Sequence, residues 1–247
     1  MNTIIKGHEV HYYACGEGDN VLLLHGWASS LDSFVSVQRY LSSKFKVYAI
    51  DFPGFGKSEE PKEIWGTEDY CTFLEAFMEK MNIAKPIIIG HSFGGRVAIR
   101  LALKKKADKL ILIDSAGIRP KRTAKYYFKV YSYKLAKYML KYLSPRLLVK
   151  YKGSVGSKDY INASPTMKQI LIKVVNEDLT KLLPEITIPS LLIWGENDME
   201  TPLYQANVMN KLIPDSGLVI LKGAGHFSHI DKTREFLIVT GNFLNMN

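Results

Sequence analysis

The chain has 247 residues, of which 47% are hydrophobic and 23% are charged, and its formal net charge is +9 at pH 7. The hydrophobic content excludes an intrinsically disordered chain, and two cysteines are too few for a disulfide framework. The length is consistent with one catalytic domain that carries an insertion.

The N-terminal residues Met1–Gly7 lack the apolar stretch of a signal peptide, and no later run is long and apolar enough to span a bilayer. Cys15 and Cys71 each lie in an apolar pattern typical of a protein core. We therefore expect a protein of the reducing cytoplasm.

Short apolar, β-branched runs followed by turn residues recur along the chain and predict strands. In chain order they are Glu9–Cys15, Val21–Leu24, Lys46–Ile50, Ile87–Ile89, Leu110–Ile113, Leu191–Trp194 and Leu218–Leu221, with Thr3–Lys6 as a further candidate. Helical spacing lies between most of them, as in Thr67–Met81 and Phe93–Lys105. This alternation predicts an α/β fold with a doubly wound, mostly parallel sheet of about eight strands.

No strand is predicted between Gly117 and about Pro189, where the sequence is rich in tyrosine and lysine and has helical spacing. We expect residues 117–189, called the insertion below, to form a helical lid. Residues 1–116 and 190–247 then form the catalytic core.

Most of the positive charge lies in the first part of the insertion. Between Gly117 and Pro165 there are twelve basic residues and one acid, Asp159, so this stretch carries +11, whereas the remaining 21 basic and 23 acidic residues carry −2. The basic residues are Arg119, Lys121, Arg122, Lys125, Lys129, Lys134, Lys137, Lys141, Arg146, Lys150, Lys152 and Lys158.

Two interpretations of this basic lid stay open. The lysines either keep the helices solvated or attract an anionic membrane surface or an anionic, amphiphilic substrate. The stretch matches no nucleic-acid docking motif, so nucleic acid is not an expected partner.

A candidate nucleophile follows the strand that ends at Ile89. The sequence Gly90-His91-Ser92-Phe93-Gly94 has the Gly-x-Ser-x-Gly pattern, and a helical segment comes directly after it. In a strand-turn-helix context the glycines permit a sharp turn that exposes the serine at a helix N-terminus, where the helix dipole favours a developing anion. We therefore predict that Ser92 is a nucleophile.

A serine nucleophile needs a histidine base and a carboxylate that orients the base. Downstream, Asp198 follows the strand that ends at Trp194, and His226 follows the strand that ends at Leu221. Each candidate comes just past the carboxyl end of a strand, the edge at which open α/β sheets bind ligands. We predict a catalytic triad of Ser92, Asp198 and His226.

The acid has alternatives nearby. Glu196 or Glu200 could face the histidine instead, and Asp114, after the strand Leu110–Ile113, is a third candidate for the acid. His226 and His229 have the spacing of a metal pair, but the sequence offers no third ligand beside them, so neither a metal nor a cofactor is expected.

These motifs together resemble the α/β-hydrolase family, along the chain from the first strands to the last helix. The order Ser92, Asp198, His226 is that family's order. Further matches are His25-Gly26-Trp27 after one strand and the glycine-rich loop Asp51–Ser58 after the next. The resemblance implies an oxyanion hole formed by the backbone N–H groups of Trp27 and Phe93, and it implies that the protein is an enzyme.

The implied activity is hydrolysis of carboxylic esters through an acyl-enzyme. Candidate residues of the substrate pocket are His25, Gly26, Phe52 and Phe227, with Trp27, Phe34, Phe55 and Phe93 as further possible walls. The segments Ser92–Gly95 and Ser115–Gly117 also resemble the meta-cleavage-product hydrolases, which cleave a carbon–carbon bond. A binding module that keeps the fold without catalysis is a more remote alternative.

Overall fold

A computed structural model describes residues 1–120, 124–144, 147 and 158–246, without the side chains of residues 124–127, 129, 130, 141, 143 and 158. Nine of the basic side chains counted in the insertion lie outside this description, namely Lys121, Arg122, Lys125, Lys129, Lys141, Arg146, Lys150, Lys152 and Lys158. Within the described part, no helix is both long enough and apolar enough to cross a membrane.

Eight strands form one sheet, as the sequence predicts. They are β1 (Asn2–Ile5), β2 (His8–Cys15), β3 (Asn20–Leu24), β4 (Lys46–Ile50), β5 (Ile87–His91), β6 (Lys109–Ile113), β7 (Ser190–Gly195) and β8 (Ser216–Leu221). Their order in the sheet is β1-β2-β4-β3-β5-β6-β7-β8. The pairs β1–β2 and β2–β4 are antiparallel, and all the others are parallel. The carboxyl ends of β3 to β8 therefore meet at one edge.

Helices connect these strands. In the described residues they are α1 (Val35–Leu41), α2 (Thr67–Lys80), α3 (Phe93–Leu103), α4 (Ala124–Leu143), α5 (Lys158–Asn162), α6 (Pro165–Asn176), α7 (Tyr204–Leu212), α8 (Ser228–Asp231) and α9 (Thr233–Phe243), with 3₁₀ turns at Leu31–Phe34 and Thr180–Glu185. The predicted helices Thr67–Met81 and Phe93–Lys105 correspond to α2 and α3, each ending one or two residues earlier.

The sheet is covered on both faces because alternate residues of each strand point to opposite sides. Leu22, Ile88 and Leu112 pack into one hydrophobic cluster with α2, α3 and α7. Their neighbours, including Ile89 and Ile111, pack into a second cluster with α1 and α9. Burial on both faces explains why the central strands are apolar without alternation in the sequence.

The insertion lies between β6 and β7 and is helical where it is described. Its second half is part of the core, because Ile170, Val174 and Leu183 are buried in the same cluster as α2 and α3. Its first long helix, α4, is different, since its described side chains are exposed or half-buried. Cys71 is buried as predicted, whereas Cys15 is only half-buried.

Candidate active site

The turn between β5 and α3 holds Ser92 in an unusual backbone conformation. Ser92 has φ 49° and ψ −111°, a region that non-glycine residues rarely adopt and that costs about 1 to 3 kcal/mol. A Cβ on Gly94 would lie 2.1 Å from the carbonyl oxygen of Leu24, so only glycine allows α3 to begin so close to β3. The strained turn presents the Ser92 hydroxyl above the edge of the sheet.

The three predicted triad residues lie within hydrogen-bond distance of one another. His226 Nε2 is 3.0 Å from Ser92 Oγ, and His226 Nδ1 is 2.9 Å from Asp198 Oδ2. The loops after β5, β7 and β8 carry these residues to the same edge of the sheet. With a proton on Nδ1, His226 donates to Asp198 and accepts from Ser92, the arrangement that general-base activation of a serine needs.

Asp198 is held by donors on both of its oxygens. Oδ1 accepts hydrogen bonds from the backbone N–H groups of Glu200 (2.8 Å) and Thr201 (2.9 Å). Thr201 Oγ1 lies 2.6 Å from Oδ2. Burial alone would raise the pKa of Asp198, but the hydrogen bonds from His226 and Thr201 outweigh it and lower that pKa. Asp198 is therefore ionised at neutral pH.

The carboxylates around His226 favour its charged form. Burial tends to lower the pKa of His226, but the hydrogen bond and charge of Asp198, together with the charge of Glu200, raise it above the ordinary histidine value. Glu200 Oε2 lies 3.4 Å from Nε2, on the serine side of the ring, and the Glu200 side chain is largely exposed. The site thus stabilises the imidazolium that forms when the serine loses its proton.

The alternative acids have other partners. Asp114 is buried and accepts hydrogen bonds from the backbone N–H groups of Gly195 (2.7 Å) and Ser228 (3.0 Å). Glu196 accepts from the N–H of Gly223 at 2.9 Å. Because Gly195 precedes Asp198 and Ser228 follows His226, Asp114 braces the two loops that carry the acid and the base.

Three buried side chains with metal-ligating groups lie together beneath the site: ligand atoms of His91, Asp114 and His229 are within 4.8 Å of one another. His91 Nε2 already lies 2.7 Å from the carbonyl oxygen of His226, and His229 stacks on Phe34 at 5.0 Å. The group is better described as packing beneath the His226 loop.

Burial keeps the neighbouring histidines neutral. It lowers the pKa of His25 to about 4 and that of His229 to about 4, and it holds the pKa of His91 well below the ordinary value. His25 is fully buried, with Nδ1 2.7 Å from the carbonyl oxygen of Gly26 and Nε2 accepting from the N–H of Phe52 at 3.0 Å. Among these four histidines, His226 is the one whose pKa is raised.

The loop after β3 contacts the serine turn. A Cβ on Gly26 would lie 3.3 Å from Ser92 Cβ and 2.7 Å from His91 Nδ1, so a larger residue would push the loop away. The Trp27 ring packs edge-on against Phe93 at 5.6 Å. In the described residues, the backbone N–H groups of Trp27 and Phe93 donate to no other protein group. Both predicted oxyanion donors are thus available to a ligand beside Ser92.

A cavity of about 380 Å³ opens at Ser92. Its walls are mainly apolar, and the insertion supplies a large part of them. Lining residues include Trp27, Phe93, Ile118, Leu171, Val174 and Val175. A second cavity of about 390 Å³ shares Trp27 and is lined by Phe55 and Met167.

Several predicted pocket residues lie outside the cavity at Ser92. Phe34 and Phe52 are fully buried in the core, and His25 is buried behind the Gly26 loop. Phe227 is partly exposed and packs against His91 at 4.9 Å. Phe34, Phe52 and His25 therefore do not line this cavity, because their side chains pack among core residues below the loops.

Sequence reasoning missed Arg96, which lines the cavity although its side chain is almost completely buried. Its Nη1 donates to the carbonyl oxygen of Glu177 at 2.8 Å and lies 3.7 Å from Glu177 Oε2. Burial lowers the pKa of Arg96, against the opposing effect of Glu177. The available signal was an arginine in the first turn of the mainly apolar helix α3, one turn after the nucleophile.

Comparison with known proteins gives one family model and a consistent set of relatives. The model described as alpha/beta hydrolase fold matches residues 19–157 and 115–233. Lipase 1 of Psychrobacter immobilis is 25% identical over 260 residues, which cover 94% of this chain and 80% of the lipase.

Solved structures agree on the fold. The structure of a membrane phospholipase A, described as a bacterial virulence factor, has a TM-score of 0.80 and 24% identity, covering 99% of this chain and 85% of that one. A meta-cleavage product hydrolase from Pseudomonas fluorescens IP01 has a TM-score of 0.76 and 22% identity, covering 100% of this chain and 97% of that one. At these identities the likeness establishes the architecture alone.

Proposed function

The chain belongs to the α/β-hydrolase fold family and is a hydrolase, and we propose that it cleaves carboxylic esters through an acyl-enzyme on Ser92. The observation that carries this proposal is the hydrogen-bonded series from Ser92 Oγ through His226 to Asp198, at 3.0 and 2.9 Å. Its position at the end of a mainly apolar cavity supports a substrate with an apolar acyl or alcohol part.

The first half of the proposed reaction forms the acyl-enzyme. Ser92 Oγ attacks the ester carbonyl carbon while its proton passes to His226 Nε2, and Asp198 stabilises the imidazolium. The N–H groups of Trp27 and Phe93 donate to the oxyanion, each contributing on the order of 3 kcal/mol to transition-state stabilisation. When the intermediate collapses, the carbon–oxygen bond to the alcohol breaks and Nε2 returns the proton to the leaving alkoxide.

The second half releases the acid. Water attacks the acyl carbon and gives a proton to His226 Nε2, which passes it to Ser92 Oγ as the acyl–serine bond breaks. The product is a carboxylic acid that ionises next to Glu200. Because Glu200 lies 3.4 Å from Nε2, its charge repels the carboxylate and favours product release.

A direct test combines a fluorophosphonate probe with an ester series. We expect the probe to label wild-type protein covalently and Ser92→Ala not at all. Nitrophenyl esters of increasing acyl length should reveal a preferred length set by the cavity of about 380 Å³. Labelling that persists in Ser92→Ala, or turnover that survives it, would place the nucleophile elsewhere.

A second candidate is carbon–carbon bond hydrolysis of the meta-cleavage type. It is supported by the structural likeness to the Pseudomonas fluorescens enzyme. The segments Ser92–Gly95 and Ser115–Gly117 also resemble those of the meta-cleavage-product hydrolases. Parallel assays on nitrophenyl esters and on a vinylogous diketone acid separate the two activities. Fast turnover of the diketone with slow ester hydrolysis would favour this candidate over the esterase.

A non-catalytic binding module is the remaining alternative. The hydrogen-bonded geometry of Ser92, His226 and Asp198 argues against it, because a binding role gives no reason to maintain that geometry. Failure of the fluorophosphonate probe to react with folded wild-type protein would support it.

A further inference from the structure

Helix α4 presents a row of large apolar side chains to solvent. They are Phe128, Tyr131, Leu135, Tyr138, Met139 and Tyr142, and each is between 51% and 77% exposed. At 100° per residue these six positions fall within an arc of about 100°, which is the width of the buried face of an ordinary amphipathic helix. We call this row the α4 stripe.

Exposed apolar side chains are concentrated in this part of the molecule. Of the twenty exposed large hydrophobic side chains in the described residues, ten lie in the insertion, although it contains less than a third of the chain. Single exposed apolar residues need no explanation, but a contiguous patch indicates an interaction surface. The α4 stripe is such a patch.

The charges beside the stripe identify the kind of partner. α4 contains five lysines and no acidic residue. Lys134 is exposed at one border of the stripe, and its Nζ lies 5.5 Å from the centre of the Tyr131 ring. Aromatic rings beside lysines are typical of helices that lie in the interface of an anionic bilayer, with the lysine ammonium groups reaching the headgroups.

A second copy of the chain fits this surface poorly. In a symmetric dimer the same patch faces itself, so the lysine-rich helices of the two copies would lie side by side, and neither helix carries an acidic residue. An anionic lipid surface complements the charge and accommodates the apolar stripe. We propose that the α4 stripe docks on an anionic membrane surface.

The position of the cavity gives this docking a consequence for the reaction. Ile172 and Val175 of α6 line the cavity at Ser92 and are also 48% and 47% exposed. α6 therefore presents apolar side chains both to solvent and to the cavity. Resting on the esterase activity proposed above, docking would bring amphiphilic, lipid-like esters close to the insertion, whose helix α6 lines the cavity at Ser92.

The test is sedimentation with vesicles of phosphatidylcholine, either pure or containing one-third phosphatidylglycerol. The full-length Ser92→Ala protein is used so that no lipid is cleaved. We expect binding to the anionic vesicles only, weakening as salt rises and the Debye length falls from about 30 Å at 0.01 M to about 10 Å at 0.1 M. Lys134→Gln should weaken binding about fivefold, because this lysine borders the stripe.

Matched variants separate the stripe from general surface effects. Leu135→Ser/Tyr138→Ser should weaken vesicle binding by about tenfold or more, because two apolar contacts with the bilayer are lost. Exposed residues elsewhere serve as controls, and Lys211→Gln/Lys222→Gln and Ile238→Ser should bind like the parent protein.

The outcomes separate docking from the proposed chemistry. With Ser92 present, wild type and each surface variant should hydrolyse a short soluble ester equally well. If all of them, wild type included, fail to hydrolyse the ester while vesicle binding persists, the esterase is refuted and docking is not. No binding to anionic vesicles, or binding that Leu135→Ser/Tyr138→Ser leaves unchanged, would overturn the proposal. A dimer in solution that the same variant dissociates would also overturn it, in favour of a second copy.

Discussion

Replacing Asp198 by asparagine tests the acid assignment at the level of a single proton. Asp198 Oδ1 accepts two backbone N–H groups, at 2.8 and 2.9 Å. Those donors will hold the amide oxygen of the asparagine in the Oδ1 position, so its NH₂ group must face His226 Nδ1. Nδ1 then has to accept a hydrogen bond, and the imidazole proton moves to Nε2.

That tautomer cannot accept the proton of Ser92, because Nε2 already carries one. We expect Asp198→Asn to lower kcat by about 10⁴-fold, equivalent to about 5.5 kcal/mol, with little change in KM. The protein should still fold, because Thr201 Oγ1, which also lies 3.0 Å from the carbonyl oxygen of Asp114, can accept from the new NH₂. The assay is steady-state hydrolysis of a nitrophenyl ester, with thermal unfolding as the control for folding.

Asp114→Asn is the matched comparison. The two carboxylate oxygens of Asp114 accept from the N–H groups of Gly195 and Ser228, and the substitution replaces one of these oxygens by an NH₂ group. The lost hydrogen bond should lower the free energy of unfolding by about 1 to 3 kcal/mol. Its effect on kcat should be much smaller than that of Asp198→Asn, because His226 keeps its hydrogen bond to Asp198. An Asp114→Asn enzyme that loses more activity than Asp198→Asn would show that the acid is assigned to the wrong residue.

Three further predictions concern strain and protonation. Ser92→Ala should abolish turnover without changing the melting temperature. In urea unfolding, Ser92→Gly should be more stable than Ser92→Ala by about 1 kcal/mol or more, because glycine adopts the positive φ of this position without strain. The acid limb of the pH profile of kcat/KM should follow deprotonation of His226, whose pKa is raised. Because the charge of Glu200 contributes to that rise, Glu200→Gln should move the acid limb to lower pH. The same acid limb in wild type and Glu200→Gln would contradict the role given to Glu200. Burial raises the pKa of Asp114 from 3.8 to about 7, so Asp114 lowers stability as pH rises from about 4 to 7, by up to about 4 kcal/mol. Denaturant titrations between pH 4 and 7 should show that the free energy of unfolding of Asp114→Asn lacks this decline. An equal decline in wild type and Asp114→Asn would refute the contribution assigned to Asp114.

The sequence by itself determined the strands and the loops that carry the site. The eight strands were readable because each is a short apolar run that ends in turn residues, and the structure places them within one or two residues of the predicted bounds. Parallel strands put their carboxyl ends at one edge, so residues after β5, β7 and β8 had to meet there. The positions of Ser92, Asp198 and His226, each just after the carboxyl end of a strand, were therefore sufficient to predict that they lie close together.

Only the tertiary structure decided which side chains face one another. Asp114, Glu196, Glu200 and Asp198 all follow strands, and packing alone places Asp198 at Nδ1 of His226 and Glu200 beside Nε2. The same limit applies to the cavity, where Phe52 turned out to be core and Arg96 a wall. A loop sequence records which residue types are present, but the direction of each side chain depends on neighbours from distant segments, and local patterns do not contain that information.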